Sequence, residues 1–199
     1  MTLEEIRAEI DRIDPAIREL LMHRMDCSAE VARAKAASGD PSIYRADREA
    51  EILARLGDEV PENRRKEYLA VVKKIMETSR MFQYGLLFDL LPELPAALFR
   101  GIALDEPSTG VSLSFRRPNR PGALAAILGM VWDYGYDLER AEHLGESADG
   151  AMSGFALTIA GDIRQVSMQK LIFQLSRESA DFRIEEVRRQ ADDNSAEKI

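Results

Sequence analysis

The sequence predicts two domains, a helical domain over residues 1–90 and a small α/β domain over residues 110–190. The first prediction rests on apolar residues that recur every three or four positions, which is typical of amphipathic helices. The second rests on a change of period after Gly110, where apolar and polar residues alternate as they do in strands. Residues 91–109 contain three prolines and are predicted to form a linker, and residues 191–199 a flexible tail.

The first helix is predicted to begin at a capping box formed by Thr2 and Glu5. Its apolar residues form a seam with the spacing of a heptad repeat, sustained over more than four heptads. Ser38-Gly39-Asp40-Pro41 is a helix-ending sequence. Pro15 lies inside the pattern, and because the seam continues through it, we expect one long, kinked helix. The seam comprises Leu3, Ile6, Ile10, Ile13, Ile17, Leu20, Cys27, Val31 and Ala34.

Two shorter helices complete the predicted helical domain. The second covers roughly Ala46 to Gly57, and the third begins near Pro61. The third is predicted to present one face that carries Tyr68, Val72, Ile75, Ser79, Phe82 and Leu86.

The α/β domain is predicted to contain four strands and two helices in the order βαββαβ. This is the order of a ferredoxin-like fold. The predicted elements are a strand at Val111–Phe115, a helix at Pro121–Trp132, strands around Tyr136–Gly145 and Ala151–Ala160, a helix carrying Val166, Leu171, Ile172 and Leu175, and a last strand at Phe182–Val187.

Composition and charge limit the classes of function. The chain has 199 residues, with 27 basic and 35 acidic side chains and a net charge of −8, so a nucleic-acid interface is not expected. The N-terminus is acidic rather than basic, and no apolar run approaches the ~18 residues that span a bilayer, so we expect no signal peptide and no membrane association. The single cysteine, Cys27, cannot form an internal disulfide and is predicted to be a small core residue of a cytoplasmic protein.

Four polar residues interrupt the apolar faces of the long helices: Arg24, Lys35, Ser79 and Gln83. Eleven residues separate Arg24 from Lys35, which is three helical turns plus about 20° and a rise of about 16 Å, so both cations point in one direction. A buried guanidinium needs an anionic partner. Taken singly, each residue also has an ordinary structural interpretation, such as a salt-bridged Arg, a solvated Lys or a surface Ser–Gln pair. Together with the pair Arg48-Glu49 on the second helix, they favour a site for a small anionic molecule.

Over residues 3–88 the chain resembles the all-helical, type II class of chorismate mutase, as found in the first domain of bifunctional chorismate mutase–prephenate dehydratases. The resemblance implies a three-helix domain that forms an intertwined all-α dimer. Where the bacterial pattern often has Asp just before its Arg-Glu pair, this chain has Arg45, which matters only if that position acts through its side chain. The matching stretches are Ile6-Arg7, Ile10-Asp11-Arg12-Ile13-Asp14, Leu20 to Met25, Val31 to Lys35, Ile43 to Glu49 and Ser79 to Gln83.

The resemblance implies that Arg7 of the partner subunit, Arg24 and Arg48 hold the two carboxylates of chorismate, and that Ser79 assists at the ring carboxylate. Arg7 and Arg24 are seventeen residues apart, about 26 Å along a straight helix and on different faces. They cannot hold the same small dianion from one chain. A homodimer with shared active sites is therefore expected.

The resemblance also implies the residues that act on the reacting atoms. Lys35 and Gln83 would donate hydrogen bonds to the ether oxygen, and Glu49 would accept one from the ring hydroxyl; with Arg24, these form the expected catalytic set. The conversion of chorismate to prephenate is a [3,3] rearrangement that needs no metal or cofactor, so catalysis depends on holding a reactive conformer and stabilising developing charge. Because Gln83 donates without being protonated, we expect activity at neutral pH.

Over residues 110–188 the chain resembles an ACT domain, a small amino-acid-sensing domain. Gly122-Ala123-Leu124 is similar to the effector-binding Gly-Ala-Leu motif, and Glu142 lies where a second motif of that family stands, although its Glu-Ser-Arg-Pro sequence is absent. The resemblance implies an aromatic amino-acid effector bound at these four residues. Phenylalanine, tyrosine, another ligand and a purely dimerising domain all remain open. Residues 91–109 leave no room for a dehydratase domain, so the reaction is expected to stop at prephenate.

Three functions are consistent with these observations. The first is a chorismate mutase of phenylalanine and tyrosine biosynthesis under feedback control, which the full set of cations and Gln83 favour. The second is a non-catalytic module that senses an aromatic amino acid and regulates a partner enzyme. The third is a pyruvate lyase that acts on isochorismate, which has the same helical fold.

Overall fold

The computed structural model describes residues 1–189. The chain divides into two compact units, with the division between Leu90 and Leu91. The predicted tail, residues 191–199, lies outside the described residues. Within residues 1–189, every helix is too short or too polar to traverse a lipid bilayer.

The first unit consists of three helices, α1 (Leu3–Ser38), α2 (Ala46–Asp58) and α3 (Glu62–Leu90). The capping box at the start of α1 is confirmed, because the Thr2 and Glu5 side chains each bond the main-chain N–H of the other. The helix is assigned continuously through Pro15. It ends at Gly39, whose φ of 71° is a left-handed conformation that glycine adopts without steric cost.

The core of this unit lies between the second half of α1 and α3. Ser28, Ala29 and Ala32 of α1 are buried, as are four residues of α3. Of the residues on the predicted face of α3, Ser79 is buried, whereas Tyr68 and Phe82 are exposed. The helix carries apolar residues on more than one side. The spacing of these residues alone does not show which side packs against another part of the structure. The buried face passes through Met76, Ser79, Tyr84 and Leu87.

The first half of α1 exposes its apolar seam. Relative exposure ranges from 41% at Ile6 to 71% at Leu20, and the seam residues between them are about half exposed. The expectation that Cys27 is a core residue was wrong, because its side chain is exposed. Ser28 and Ala29, rather than Cys27, face α3, and Cys27 borders a cavity instead. In a single chain, therefore, the described residues of this unit do not cover the apolar seam.

The second unit contains a four-stranded antiparallel sheet with strand order β2-β3-β1-β4, so the predicted four strands and their two connecting helices are confirmed. Residues 91–109, predicted as a linker, include the short helix α4, and Phe99 and Pro95 in this segment are buried. The elements are α4 (Glu93–Leu98), β1 (Ser108–Pro118), α5 (Ala123–Asp133), β2 (Leu138–Glu146), β3 (Met152–Ala160), α6 (Val166–Arg177) and β4 (Ala180–Arg189).

Alternating apolar residues of the central strands build the core of the sheet. Val111 is paired with Ile159, Leu113 with Leu157, and Phe115 with Phe155, and all six are buried. Because successive side chains of a strand point to opposite faces, these residues share one face of the sheet. One side of α6 is also buried, including Leu171 and Ile172.

Candidate active site

A cavity of about 660 Å³ lies in the helical unit, lined by residues of all three helices and of the α1–α2 connection. Its volume is within the range of small-molecule sites. The structure brings to this one cavity six residues predicted from sequence: Arg24, Lys35, Arg48, Glu49, Ser79 and Gln83.

Arg24 is held by a serine pair between α1 and α3. Its Nη1 donates to Ser79 Oγ at 2.8 Å, and Ser79 Oγ lies 2.6 Å from Ser28 Oγ. The expectation that Arg24 is buried was wrong, because its side chain is exposed, and its hydrogen-bond acceptor on α3 is a neutral hydroxyl. An exposed guanidinium does not carry the desolvation cost that would require a carboxylate from its own chain. Arg24 is thus oriented without being neutralised.

Lys35 reaches from the last turn of α1 to the α1–α2 connection, where its Nζ donates to the main-chain oxygen of Ser42. The Asp40 carboxylate accepts the Ser42 N–H at 3.0 Å. This hydrogen bond, a second one from the Ser42 side chain, and the nearby cations Lys35 and Arg45 lower the pKa of Asp40. Since an ammonium has three donors, Lys35 retains hydrogens for a ligand.

Glu49 projects from α2 and forms an ion pair with Arg80 of α3. The Arg80 guanidinium also lies over the ring of Tyr44, 4.9 Å from its centroid. Tyr44 is held in turn by its main-chain N–H, which donates to Tyr84 Oη at 3.2 Å. One arginine therefore connects α2, α3 and the segment that precedes α2.

Gln83 lies one turn beyond Ser79 on α3, and its Nε2 donates to the Ser79 carbonyl at 3.1 Å. An amide NH₂ has two hydrogens, so one is left for a ligand. Arg45, the departure from the bacterial pattern, stands at the first turn of α2, where its carbonyl accepts the Glu49 N–H at 3.0 Å. Its exposed side chain borders the cavity and pairs with Asp47, a contact that lowers the pKa of the Asp47 carboxyl.

The cavity is cationic although the protein is acidic. Five cationic side chains and two carboxylates line it, an excess of three positive charges in a chain whose net charge is −8. A concave site of one charge sign raises the local concentration of ligands of the opposite sign. The cavity is suited to a small molecule with two or more negative charges. The cations are Arg24, Lys35, Arg45, Arg48 and Arg80, and the carboxylates are Asp40 and Glu49.

The remaining predicted site residues lie elsewhere. Arg7 is exposed on the first half of α1 and is not among the residues that line the cavity. In the second unit, Gly122 precedes α5 with a φ of 81°, while Glu142 on β2 accepts a hydrogen bond from Arg140 of the same strand. Within residues 1–189, no cluster of three or more His, Cys, Asp or Glu side chains is arranged to hold a metal ion.

Sequence reasoning missed three polar residues of the cavity. Ser28 follows Arg24 by four positions, so its place on the same face of α1 could have been inferred. Asp40 was assigned only to the end of the helix. Arg80 had no such signal, because its partner Glu49 is thirty-one residues away in sequence and the two meet only after α2 packs on α3.

Comparison with known proteins shows a similarity that is confined to the helical unit. Residues 6–84 match the family model described as chorismate mutase type II. A search of curated proteins gave no significant match. One similar solved structure, described as "GqqA- a novel type of quorum quenching acylases", has 25% identity and a TM-score of 0.38 over 43% of this chain. The aligned region is 45% of that structure's own chain.

Proposed function

We propose that the protein converts chorismate to prephenate in the cavity of the helical unit, for the biosynthesis of phenylalanine and tyrosine. The observation that carries this proposal is the meeting of Lys35 from α1 and Gln83 from α3 in one cavity with excess positive charge. Two hydrogen-bond donors from different helices can approach one ether oxygen, while Arg24 and Arg48 take carboxylates. Guanidinium groups suit carboxylates because they offer paired donors in a plane.

In the proposed mechanism the protein supplies position and charge. The rearrangement breaks the ether C–O bond and forms a C–C bond within one molecule, so no proton transfer or nucleophile is needed. Negative charge develops on the ether oxygen as its bond breaks, and the Lys35 ammonium with the Gln83 amide would stabilise it. Glu49 would accept a hydrogen bond from the ring hydroxyl, and Ser79 would assist at the ring carboxylate by orienting Arg24. The two arginines would hold the chain folded over the ring, which removes much of the entropic barrier.

A homodimer is part of this proposal. It is supported by the exposed seam on the first half of α1, where Ile6, Ile10, Ile13 and Ile17 are each 41–56% exposed. A regular apolar stripe of this length is characteristic of helices that pair with another helix. Pairing would cover the stripe and would bring Arg7 of one copy toward the cavity of the other.

We further propose that the second unit is an ACT-like regulatory domain that binds an aromatic amino acid. The strand order β2-β3-β1-β4 agrees with a ferredoxin-like βαββαβ domain. The left-handed Gly122 at the start of α5 supports an effector site at Gly122, Ala123, Leu124 and Glu142, since a residue without Cβ allows close approach to helix N–H groups.

The experiment is to follow the loss of chorismate absorbance with purified protein and to identify the product as prephenate. Replacing Lys35 by Ala should lower the rate about 10²–10³-fold, by analogy with the loss of an oxyanion-hole donor. Lys66→Ala, which removes an exposed lysine of α3 outside the cavity, is the matched control and should leave the rate unchanged. Phenylalanine or tyrosine should alter the rate of the intact chain.

Two results would contradict the proposal. If the folded wild-type dimer does not consume chorismate, the mutase assignment fails and an effector-sensing module becomes the better interpretation. If isochorismate is cleaved to pyruvate faster than chorismate is rearranged, the protein is a lyase.

A further inference from the structure

Arg80 is the one cation of the cavity that pairs directly with a carboxylate on another helix. Its side chain is 13% exposed and that of Glu49 is 25% exposed, so water screens this ion pair less than the surface pairs of the same unit. The stacking of its guanidinium on Tyr44 adds a cation–π contact that fixes the plane of the group. Arg80 is therefore held in place from two sides.

We propose that Arg80 is a positioning residue, which orients Glu49 for recognition of the hydroxyl on the substrate ring. This inference rests on the proposed function, in which Glu49 accepts that hydroxyl. The Arg80 contact uses Oε1 of Glu49, and Oε2 accepts no hydrogen bond from the residues described. A carboxylate that is fixed through one oxygen presents the other in a defined direction.

Arg80 is poorly placed to be another ligand of the substrate carboxylates. Its Nη1 is engaged by Glu49, and its face is covered by the Tyr44 ring. Arg24 and Arg48 are exposed by comparison, and the Arg24 partner is a neutral hydroxyl that leaves the full positive charge for a ligand. The geometry thus separates a supporting arginine from the two that would meet the substrate.

The test compares Arg80→Met, Arg80→Lys, Glu49→Gln and the Arg80→Met/Glu49→Gln double variant on two substrates. One is chorismate, and the other is the analogue in which hydrogen replaces the ring hydroxyl. Arg33→Met, which breaks the exposed Arg33–Glu30 pair of α1 outside the cavity, is the matched control. Circular dichroism and urea unfolding establish that each variant folds.

On chorismate we expect Arg80→Met to lower kcat/KM on the order of 10- to 100-fold, which is the effect of a misplaced binding group. Arg80→Lys should recover part of this loss. In the Glu49→Gln background the same substitution should have little further effect, since the group it orients is gone. On the deoxy analogue Arg80→Met should equal the wild type within about twofold.

An equal loss on both substrates would overturn the proposal, because a general structural defect does not distinguish them. Additive losses in the double variant would also overturn it and would assign Arg80 a direct role of its own. Absence of chorismate turnover in the wild type would instead refute the proposed function, and this inference with it.

Discussion

Ser79 gives the sharpest test of how the cavity orients its cations. Ser79 is 4% exposed, and its Oγ accepts from Arg24 at 2.8 Å and lies 2.6 Å from Ser28 Oγ. The Ser28 hydroxyl donates to the Arg24 carbonyl at 3.0 Å. Because a hydroxyl has one hydrogen, Ser79 must be the donor in the contact with Ser28. Ser79→Ala therefore removes both the acceptor of Arg24 and the donor to Ser28, but it leaves the main-chain bond of Ser28 intact.

The expected loss follows from these contacts. A hydrogen bond to a charged group contributes about 1.5–3 kcal/mol, and the lower end applies here because water can replace the acceptor at an exposed guanidinium. About 1.5 kcal/mol corresponds to roughly a tenfold loss of kcat/KM. Ser28→Ala removes two neutral hydrogen bonds, the one from Ser79 and the one to the Arg24 carbonyl, but keeps the Arg24–Ser79 bond. Because the bond to the charged guanidinium remains, the expected loss of kcat/KM corresponds to about 0.5–1.5 kcal/mol, or roughly two- to tenfold. The predicted loss of kcat/KM is therefore larger for Ser79→Ala than for Ser28→Ala.

The assay is steady-state turnover of chorismate with kcat and KM determined separately. Most of the loss should appear in KM, because Arg24 would hold a carboxylate in both the bound substrate and the transition state. Ser176→Ala removes a hydroxyl that bonds the Phe173 carbonyl in α6 of the other unit, and this control should be unaffected. A Ser28→Ala variant as impaired as Ser79→Ala would refute the assigned direction of the hydrogen bonds. An undiminished Ser79→Ala effect in an Arg24→Met background would show that Ser79 acts independently of Arg24.

Three further predictions concern pH, assembly and stability. Gln83→Glu should lower turnover at pH 7 about 10²-fold and restore it toward pH 4, since a carboxyl donates to the ether oxygen only when protonated; a flat pH–rate profile would contradict this. Ile13→Asp should convert a dimer to a monomer of 22.3 kDa in sedimentation analysis, because it places a carboxylate in the apolar seam, and a wild-type monomer would refute the dimer. The pKa of Asp162 is lowered from 3.8 to about 2, chiefly by the Arg164 side chain and also by main-chain N–H groups. The stabilisation is present above pH 3.8 and lost as pH falls toward 2, so urea unfolding should show a steeper acid loss in the wild type than in Asp162→Asn, and equal slopes would contradict this.

The helices and strands were predictable from the sequence because local signals and packing agree. The Thr2–Glu5 capping box and Gly39 mark the ends of α1, and both keep these roles in the structure. The alternation in β1 continues in its pairing with β3, from Val111 to Phe115. What covers an apolar face was not predictable from the sequence. Periodicity identifies a face that avoids water, but it does not show whether the same chain or another molecule covers it, as the exposed seam of α1 illustrates.

The candidate site was predictable where one helix determines the geometry. Arg24 and Lys35 share a face of α1 by the helical period alone, and Ser79 and Gln83 share one on α3 in the same way. Partners across helices were not predictable. The packing of α1, α2 and α3 determines which hydroxyl accepts the hydrogen bond from Arg24 and which arginine pairs with Glu49. No local sequence pattern encodes this packing.

The partners of four of the five cations show why a pocket of excess positive charge can be preformed in the free protein. Arg80 and Arg45 each contact a carboxylate of their own chain, Glu49 and Asp47, so their charges are offset within the protein. Arg24 and Lys35 donate their hydrogen bonds to neutral oxygens of Ser79 and Ser42, although Lys35 also lies near the Asp40 carboxylate. A dianionic ligand would displace little protein structure when it binds, because the groups that meet it are already in position. This division by partner separates Arg24 and Lys35, which would bind substrate, from Arg80 and Arg45, which support the site. The sequence cannot reveal it, because all four residues are simply Arg or Lys.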